Sequence, residues 1–235
     1  MHARSALERA FDGGCVIAFA LAWSWLALRC ARAASPAELA TTAAVLVLPA
    51  LVAADFAAGL LHWFADTFFD RATPLLGPTL IRAFRDHHRD PGAIARRGLV
   101  EVSGQNCFAC VLLIAPAFAF APSSPPARAA IVGALLFTLA IALTNLFHRW
   151  AHAERAPRTV AALQRIGLVL APARHAEHHA GAHRRGYCVT TGWLNGPLDR
   201  LRFFDGLERA ARAAVRGAGR LRRARRLRVD RGRSR

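Results

Sequence analysis

Lysine is absent: all 32 basic residues are arginine, set against only 15 acidic ones. Together with the abundance of alanine, this reads as a compositional bias of the source genome, so arginine identity at any one position carries little functional information. Cysteine is scarce. Five scattered residues cannot build a disulfide framework, and Cys15, Cys30 and Cys110 lie in or beside apolar runs. Cys107 and Cys110 make a lone CxxC with no second pair, at the start of a hydrophobic segment, and read as apolar filling. The HExxH pattern of zinc hydrolases is missing. No aromatic residue interleaves with the arginines between Leu207 and Arg235, which excludes a base-stacking surface and a specific nucleic-acid partner. That segment reads as a solvated, partly helical basic tail.

What is present is an unusual pairing. The 235 residues are 54% hydrophobic yet carry a formal charge of +17. Such a chain must separate its apolar from its charged residues, and it does: long Ala/Leu/Val/Phe stretches alternate with arginine-rich gaps. Four stretches approach the roughly 20 helical residues needed to cross a hydrocarbon core of about 30 Å. They run from about Gly14 to Leu28, Leu39 to Leu61, Cys107 to Ala121 and Ala129 to Phe147. The first and third are short, so one of them is a candidate re-entrant segment. The first also has the look of a signal peptide, with a small-residue site at Ala31-Arg32-Ala33. Pro122 to Pro126 forms a tight turn that makes the last two a helical hairpin.

The loop from Asp70 to Asn106 holds Arg71, Arg82, Arg85, Arg89, Arg96 and Arg97, whereas the Pro122 to Arg128 loop holds only Arg128. The positive-inside rule then places the long loop and the basic C-terminus in the cytoplasm. The expectation is an all-α integral membrane protein, of a bacterial-type inner membrane, with about four spans and a histidine-rich cap on the cytoplasmic side. Residues 1–206 form the membrane domain and 207–235 the tail.

Apart from His2, every histidine falls on that side. His62 closes the second span, and His87 and His88 sit in the loop. His148 and His152 close the fourth span, followed by His175, His178, His179 and His183. His148 and His152 are i and i+4 on a helix, and His175, His178 and His179 are i, i+3 and i+4, so each set projects imidazoles from one face. His62 and Asp66 share the i, i+4 relation, which makes the aspartate either a ligand or a group orienting the His62 ring. Neutral imidazole suits zinc, copper, iron and nickel. Taken alone, His62 reads equally well as an interfacial polar residue and His183 as a surface residue. The clustered run at 175–179 has little packing rationale. A structural zinc needs only about four ligands, so eight or nine histidines fit two oxygen-activating irons better. Asp55, within the second span, costs roughly 2.5–3.5 kcal/mol to bury and should meet a ligating histidine or a backbone donor. Trp63, Trp150 and Trp193 read as an interfacial aromatic belt.

In order, the islands are Asp55 to Thr67 (DFAAGLLHWFADT), Phe84 to Pro91 (FRDHHRDP), Thr144 to His152 (TNLFHRWAH), His175 to His179 (HAEHH) and Cys188 to Asn195 (CVTTGWLN). From about Asp55 to Leu207 the chain resembles the Kua-type lipid desaturases, the family of the plasmanylethanolamine desaturase and CarF-like proteins. The resemblance implies a membrane-embedded site with two iron ions that uses O2 and an external electron donor, of cytochrome b5 or ferredoxin type. Its implied reaction introduces a double bond into an alkyl or acyl chain of a membrane phospholipid, with plasmalogen-type vinyl ether formation favoured. His62, His87, His88, His148, His152, His175, His178 and His179 are then catalytic metal ligands, joined by His183, with Asp55, Asp66, Asp86 and Asn145 in orienting roles.

The family pattern is broken in places. Its histidine before a Phe-Ile-Glu run is Arg97 here, its Asn-Gly-Asp-Asn is Ser103 to Asn106, and a histidine often found before HxxHH is Arg174. Arginine stays protonated and cannot ligate a metal. Either water or a carboxylate replaces the lost group, or that histidine only oriented another, or one iron is weakly held. A lipid hydroxylase on the same framework and a non-catalytic membrane regulator of the same fold are the alternatives.

Overall fold

The computed structural model describes residues 5–77 and 81–217. His2 and most of the arginine-rich tail lie outside the described residues. Those described form helices and no strand.

Helix α1 (Ala6–Ala33) begins with a reciprocal cap, in which Ser5 accepts from the Glu8 amide and Glu8 accepts from the Ser5 amide. Helices α2 (Pro36–Phe68) and α6 (Pro125–Ala151) each begin with a serine cap followed by proline, Ser35-Pro36 and Ser124-Pro125. Between them lie α3 (Arg82–Arg89), α4 (Ala93–Arg96) and α5 (Leu99–Ile114), the last extended by a 3-10 turn over Ala115–Ala119. Helices α7 (Arg158–Arg165), α8 (Pro172–His179) and α9 (Asn195–Arg200) follow.

Four of these are long and apolar enough to cross a membrane, at 28, 33, 21 and 27 residues. Even the shortest, at 1.5 Å per residue, reaches the roughly 30 Å of a hydrocarbon core, so length gives no reason to make any of them re-entrant. The apolar count undersized the first and third because polar residues at their ends, such as Asp12 and Asn106, are helical as well.

Helix α1 packs on α5, α2 on α6 and α5 on α6. Cys15, Phe19 and Leu26 of α1 bury against Cys107, Cys110 and Ile114 of α5. Trp23 also donates to the Leu135 carbonyl at 2.9 Å. Glu38 and Arg128 pair at 2.6 Å, and Arg29 donates to the Phe120 carbonyl at 2.9 Å, so the starts of α2 and α6 share one end of the bundle. Their C-terminal turns therefore share the other, which is where the histidines are. Ile17, Leu21, Val45, Leu48 and Leu112 stay exposed on the outer faces, as lipid contact requires.

Trp63 is a correction: it is buried and sits edge-on to Phe68, so it is a core residue of α2 and not part of an interfacial belt. After Asn195 the chain forms a second compact unit, helical over 203–217 within the described residues.

Candidate metal centre

The histidines fall into two groups, built on pairs that stand one helical turn apart. On α6 and its C-cap, His148 and His152 lie one turn apart, as do His175 and His179 on α8. These four meet His87 of α3, with one ligand-type atom from each of the five within 4.8 Å of the others. On α2, His62 and Asp66 are also one turn apart, and with His88 of α3 and His178 of α8 they make the second group. Thus α3 and α8 feed both groups. Adjacent residues point about 100° apart on a helix, so His87 and His88 diverge, as do His178 and His179.

In the first group four Nε2 atoms close a ring. His148 lies 2.9 Å from His87 and 2.8 Å from His175, and His179 lies 3.1 Å from His87 and 3.0 Å from His175. Two nitrogens bound side by side to one ion, each at about 2.1 Å, stand about 3.0 Å apart. In the second group Asp66 Oδ2 lies 3.4 Å from His62, 3.5 Å from His88 and 3.7 Å from His178, while His88 and His178 are 3.0 Å apart. Both carboxylate oxygens of Asp66, His62 Nε2 and His152 Nε2 are buried with no hydrogen-bond partner. Burying a carboxylate and several lone pairs face to face is costly unless a cation sits among them. The donor set fits metal, and it contains no cysteine.

Backbone carbonyls hold two of the rings from behind. His62 Nδ1 donates to Tyr187 O at 3.1 Å and His178 Nδ1 to Arg185 O at 2.7 Å, which leaves each Nε2 lone pair facing inward. Tyr187 O thus takes the task of orienting His62, and the Asp66 carboxylate faces the same space as the His62, His88 and His178 Nε2 atoms. His183 belongs to neither group among the described residues. Its ring stacks on His88 at 4.2 Å, and its Nδ1 bonds to the His178 carbonyl.

Asp55 is fully buried and meets backbone donors, not a histidine. Oδ1 accepts from the amides of Thr190, Thr191 and Gly192 at 3.1, 2.8 and 3.0 Å, and Oδ2 from Leu194 at 3.2 Å. Asn195 spans the same loop by bonding to both N and O of Cys188. Gly59 is required opposite: a Cβ there would come within 2.5 Å of Cys188 Sγ. Since Tyr187 carries the carbonyl that orients His62, Asp55 acts on the His62 ring through this loop.

Two expected orienting residues are placed elsewhere. Asp86 pairs with Arg71 at the surface, and Asn145 donates to Val102 O and Asn106 Oδ1, tying α6 to α5. Arg97 pairs with Glu101 at 3.5 Å and is in neither group among the described residues. Arg174 supports the 190–194 loop by donating to Gly192 O at 3.3 Å.

Burial, followed by mutual repulsion, pushes the cap imidazoles toward the neutral form that binds metal. His87 falls to about 2, His88 to about 3, and His152, His178 and His179 to about 4. In the unfolded chain these groups titrate near 6.5. Below that pH the unfolded chain takes up protons that the fold refuses, so stability is lost as pH falls through the folded values. The melting temperature of chelator-treated protein should therefore begin to drop below about pH 6.5, above the range of ordinary carboxylates. A melting temperature that stays level from pH 7 down to 5 would contradict this.

Comparison with known proteins agrees with the geometry. Residues 51–221 match the family described as lipid desaturase domain. The chain is 40% identical over 165 residues to plasmanylethanolamine desaturase of Myxococcus xanthus, covering 69% of this chain and 58% of that protein. It is 36% identical over 168 residues to plasmanylethanolamine desaturase 1 of Mus musculus, covering 69% and 62%. With the chloroplastic fatty acid desaturase 4 of Arabidopsis thaliana the identity is 34% over 161 residues, covering 67% and 48%. The chain thus spans about half to three fifths of these relatives' lengths. No solved structure matches it. The family match covers most of the chain, including every histidine of both groups and the loop that braces them: this protein belongs to the lipid desaturase domain family.

Proposed function

We propose that this protein is an integral membrane lipid desaturase that holds two iron ions. The observation that carries the reading is the pair of adjoining buried donor groups, one of five histidines and one of three histidines and a carboxylate, at one end of a bundle of four apolar helices. His87, His148, His152, His175 and His179 would hold one ion, and His62, Asp66, His88 and His178 the other, with His183 flanking His88. The names borne by the Myxococcus and mouse relatives favour vinyl ether formation in a plasmanylethanolamine-type lipid.

Desaturation removes two hydrogens from adjacent carbons, and the balance is R–CH2–CH2–R′ + O2 + 2 e− + 2 H+ → R–CH=CH–R′ + 2 H2O. Iron held there would supply the activation of O2 that no side chain can provide, and an external donor of cytochrome b5 or ferredoxin type would supply the two electrons. The chain's own part is to fix the donors on rigid helix ends. Tyr187 O and Arg185 O keep the His62 and His178 lone pairs turned inward. Burial of His62, His148, His175 and His178 keeps bulk water from the centre. The arginine-rich Asp70 to Asn106 loop supports a cytoplasmic position for this end.

The test is expression in a host that lacks plasmalogens, followed by lipid analysis. Wild type should yield lipids two hydrogens lighter, and His178→Ala none. Oxygenated lipids in place of desaturated ones would mean a hydroxylase. Equal product from His178→Ala would remove the metal assignment.

A further inference from the structure

We propose that the depression between α7 and the start of α8 binds the phosphate of a membrane phospholipid headgroup, an inference that rests on the lipid-active reading above. The cavity, of about 650 Å³, is open and lined by Arg158, Ala161, Gln164, Arg165, Ala171, Pro172 and Ala173. Arg158 and Arg165 are the two ends of α7, about 10 Å apart along its axis, and bracket an otherwise mostly alanine and proline floor. Both are exposed, and neither has an ion pair or hydrogen bond among the described residues. Two cations left over an apolar hollow complement a small anionic amphiphile.

The neighbouring residues indicate where this surface lies. Leu163, Ile166 and Leu168 are 38%, 69% and 42% exposed within the same short segment. Exposed leucine and isoleucine beside arginine suit the boundary between acyl chains and headgroups, where both kinds of side chain are satisfied. Gln164 makes the segment firm: it is buried and donates to the Leu170 carbonyl at 3.1 Å. A protein partner would need a broad face, whereas a cavity of this size between two arginines suits one headgroup.

The site is coupled to the metal centre through α8. Ala173 lines the cavity, and His175 to His179 follow on the same helix about 3–9 Å further along its axis. A phosphate anchored so near the metal-facing histidines would bring chain carbons next to the glycerol backbone, not mid-chain methylenes, to the reacting position.

The test uses the full chain loaded with iron, as wild type and as the double variant Arg158→Gln/Arg165→Gln. Equilibrium binding is measured with dihexanoyl-phosphatidylethanolamine, with dihexanoylglycerol, which lacks the phosphate, and with inorganic phosphate. The double variant should bind the phospholipid about tenfold more weakly or worse, bind dihexanoylglycerol as wild type does, and keep its iron. Should it lose iron, Arg158→Lys/Arg165→Lys, which keeps both charges, is read in its place and should hold the phospholipid within a few fold of wild type. Unchanged phospholipid binding in the glutamine variant would overturn the site. So would inorganic phosphate binding as tightly as the phospholipid, which would mark a free-anion site. Intact phospholipid binding with slowed reduction by the electron donor would assign the surface to an acidic protein instead. Arginine-dependent phospholipid binding by a protein that makes no product would leave this site standing and remove the desaturase reading. Product formation with arginine-independent binding would do the reverse.

Discussion

Asp55→Ala should be the most damaging single substitution in the second span, lowering the melting temperature sharply and stripping bound metal, although Asp55 belongs to neither donor group. Its carboxylate is the acceptor for three buried amides, those of Thr190, Thr191 and Gly192, and for the half-buried amide of Leu194. Leaving a buried donor unmet costs about 1–3 kcal/mol each, so the total is a large share of the roughly 5–15 kcal/mol that separates a typical fold from its unfolded state. The damage should spread along the loop. Once residues 190–194 are released, the Asn195 clasp on Cys188 loosens, and Tyr187 O no longer holds His62. Asp55→Asn should be far milder, because its amide oxygen still accepts from three of the donors and only the Leu194 amide faces a second N–H. Thermal denaturation and metal analysis of the three proteins check this order. Wild-type metal content in Asp55→Ala would refute it.

His175→Ala should have the largest effect on the centre itself. His175 is 1% exposed, and its Nε2 stands 2.8 Å from His148 and 3.0 Å from His179, so it closes the ring of four nitrogens. Its removal opens that ring. Bound iron should fall to one ion per chain or fewer, and product by about 100-fold or more, since changes even behind a metal's ligands cost about 10- to 100-fold. His183→Ala offers the contrast. It removes a ring stacked on His88 but no member of either group, and should keep both ions with a modest loss of rate. Equal losses of iron in the two variants would show that the five-histidine group is wrongly drawn.

The features of this site that could be read in the sequence are those carried by helical period. His62 with Asp66, His148 with His152 and His175 with His179 are each one turn apart, and each pair serves a single group. The split of the HxxHH run was not legible. His178 leaves its neighbours for the second group because α8 lies between the two, and a packing position has no signature in local spacing. Backbone partners were equally hidden: the carbonyls of Tyr187 and Arg185 orient rings, yet a carbonyl belongs to every residue. Asp55 could be recognised as a buried charge needing a partner, but not as the anchor of a loop 135 or more residues away. Asp86 and Asn145 illustrate the opposite limit. Each lies close to a histidine in sequence, but the helix turns one toward Arg71 and the other toward α5. Apolar length also fell short, because the spans continue into polar turns, and those turns hold Asp66, His148 and the start of α5.

The most direct test of the account is the iron content of the purified wild-type protein, measured per chain alongside its melting temperature before and after chelation. Two donor groups predict two ions per chain and a lower melting temperature once they are removed. A well-folded protein that holds one ion or none, and that melts at the same temperature after chelation, would contradict it.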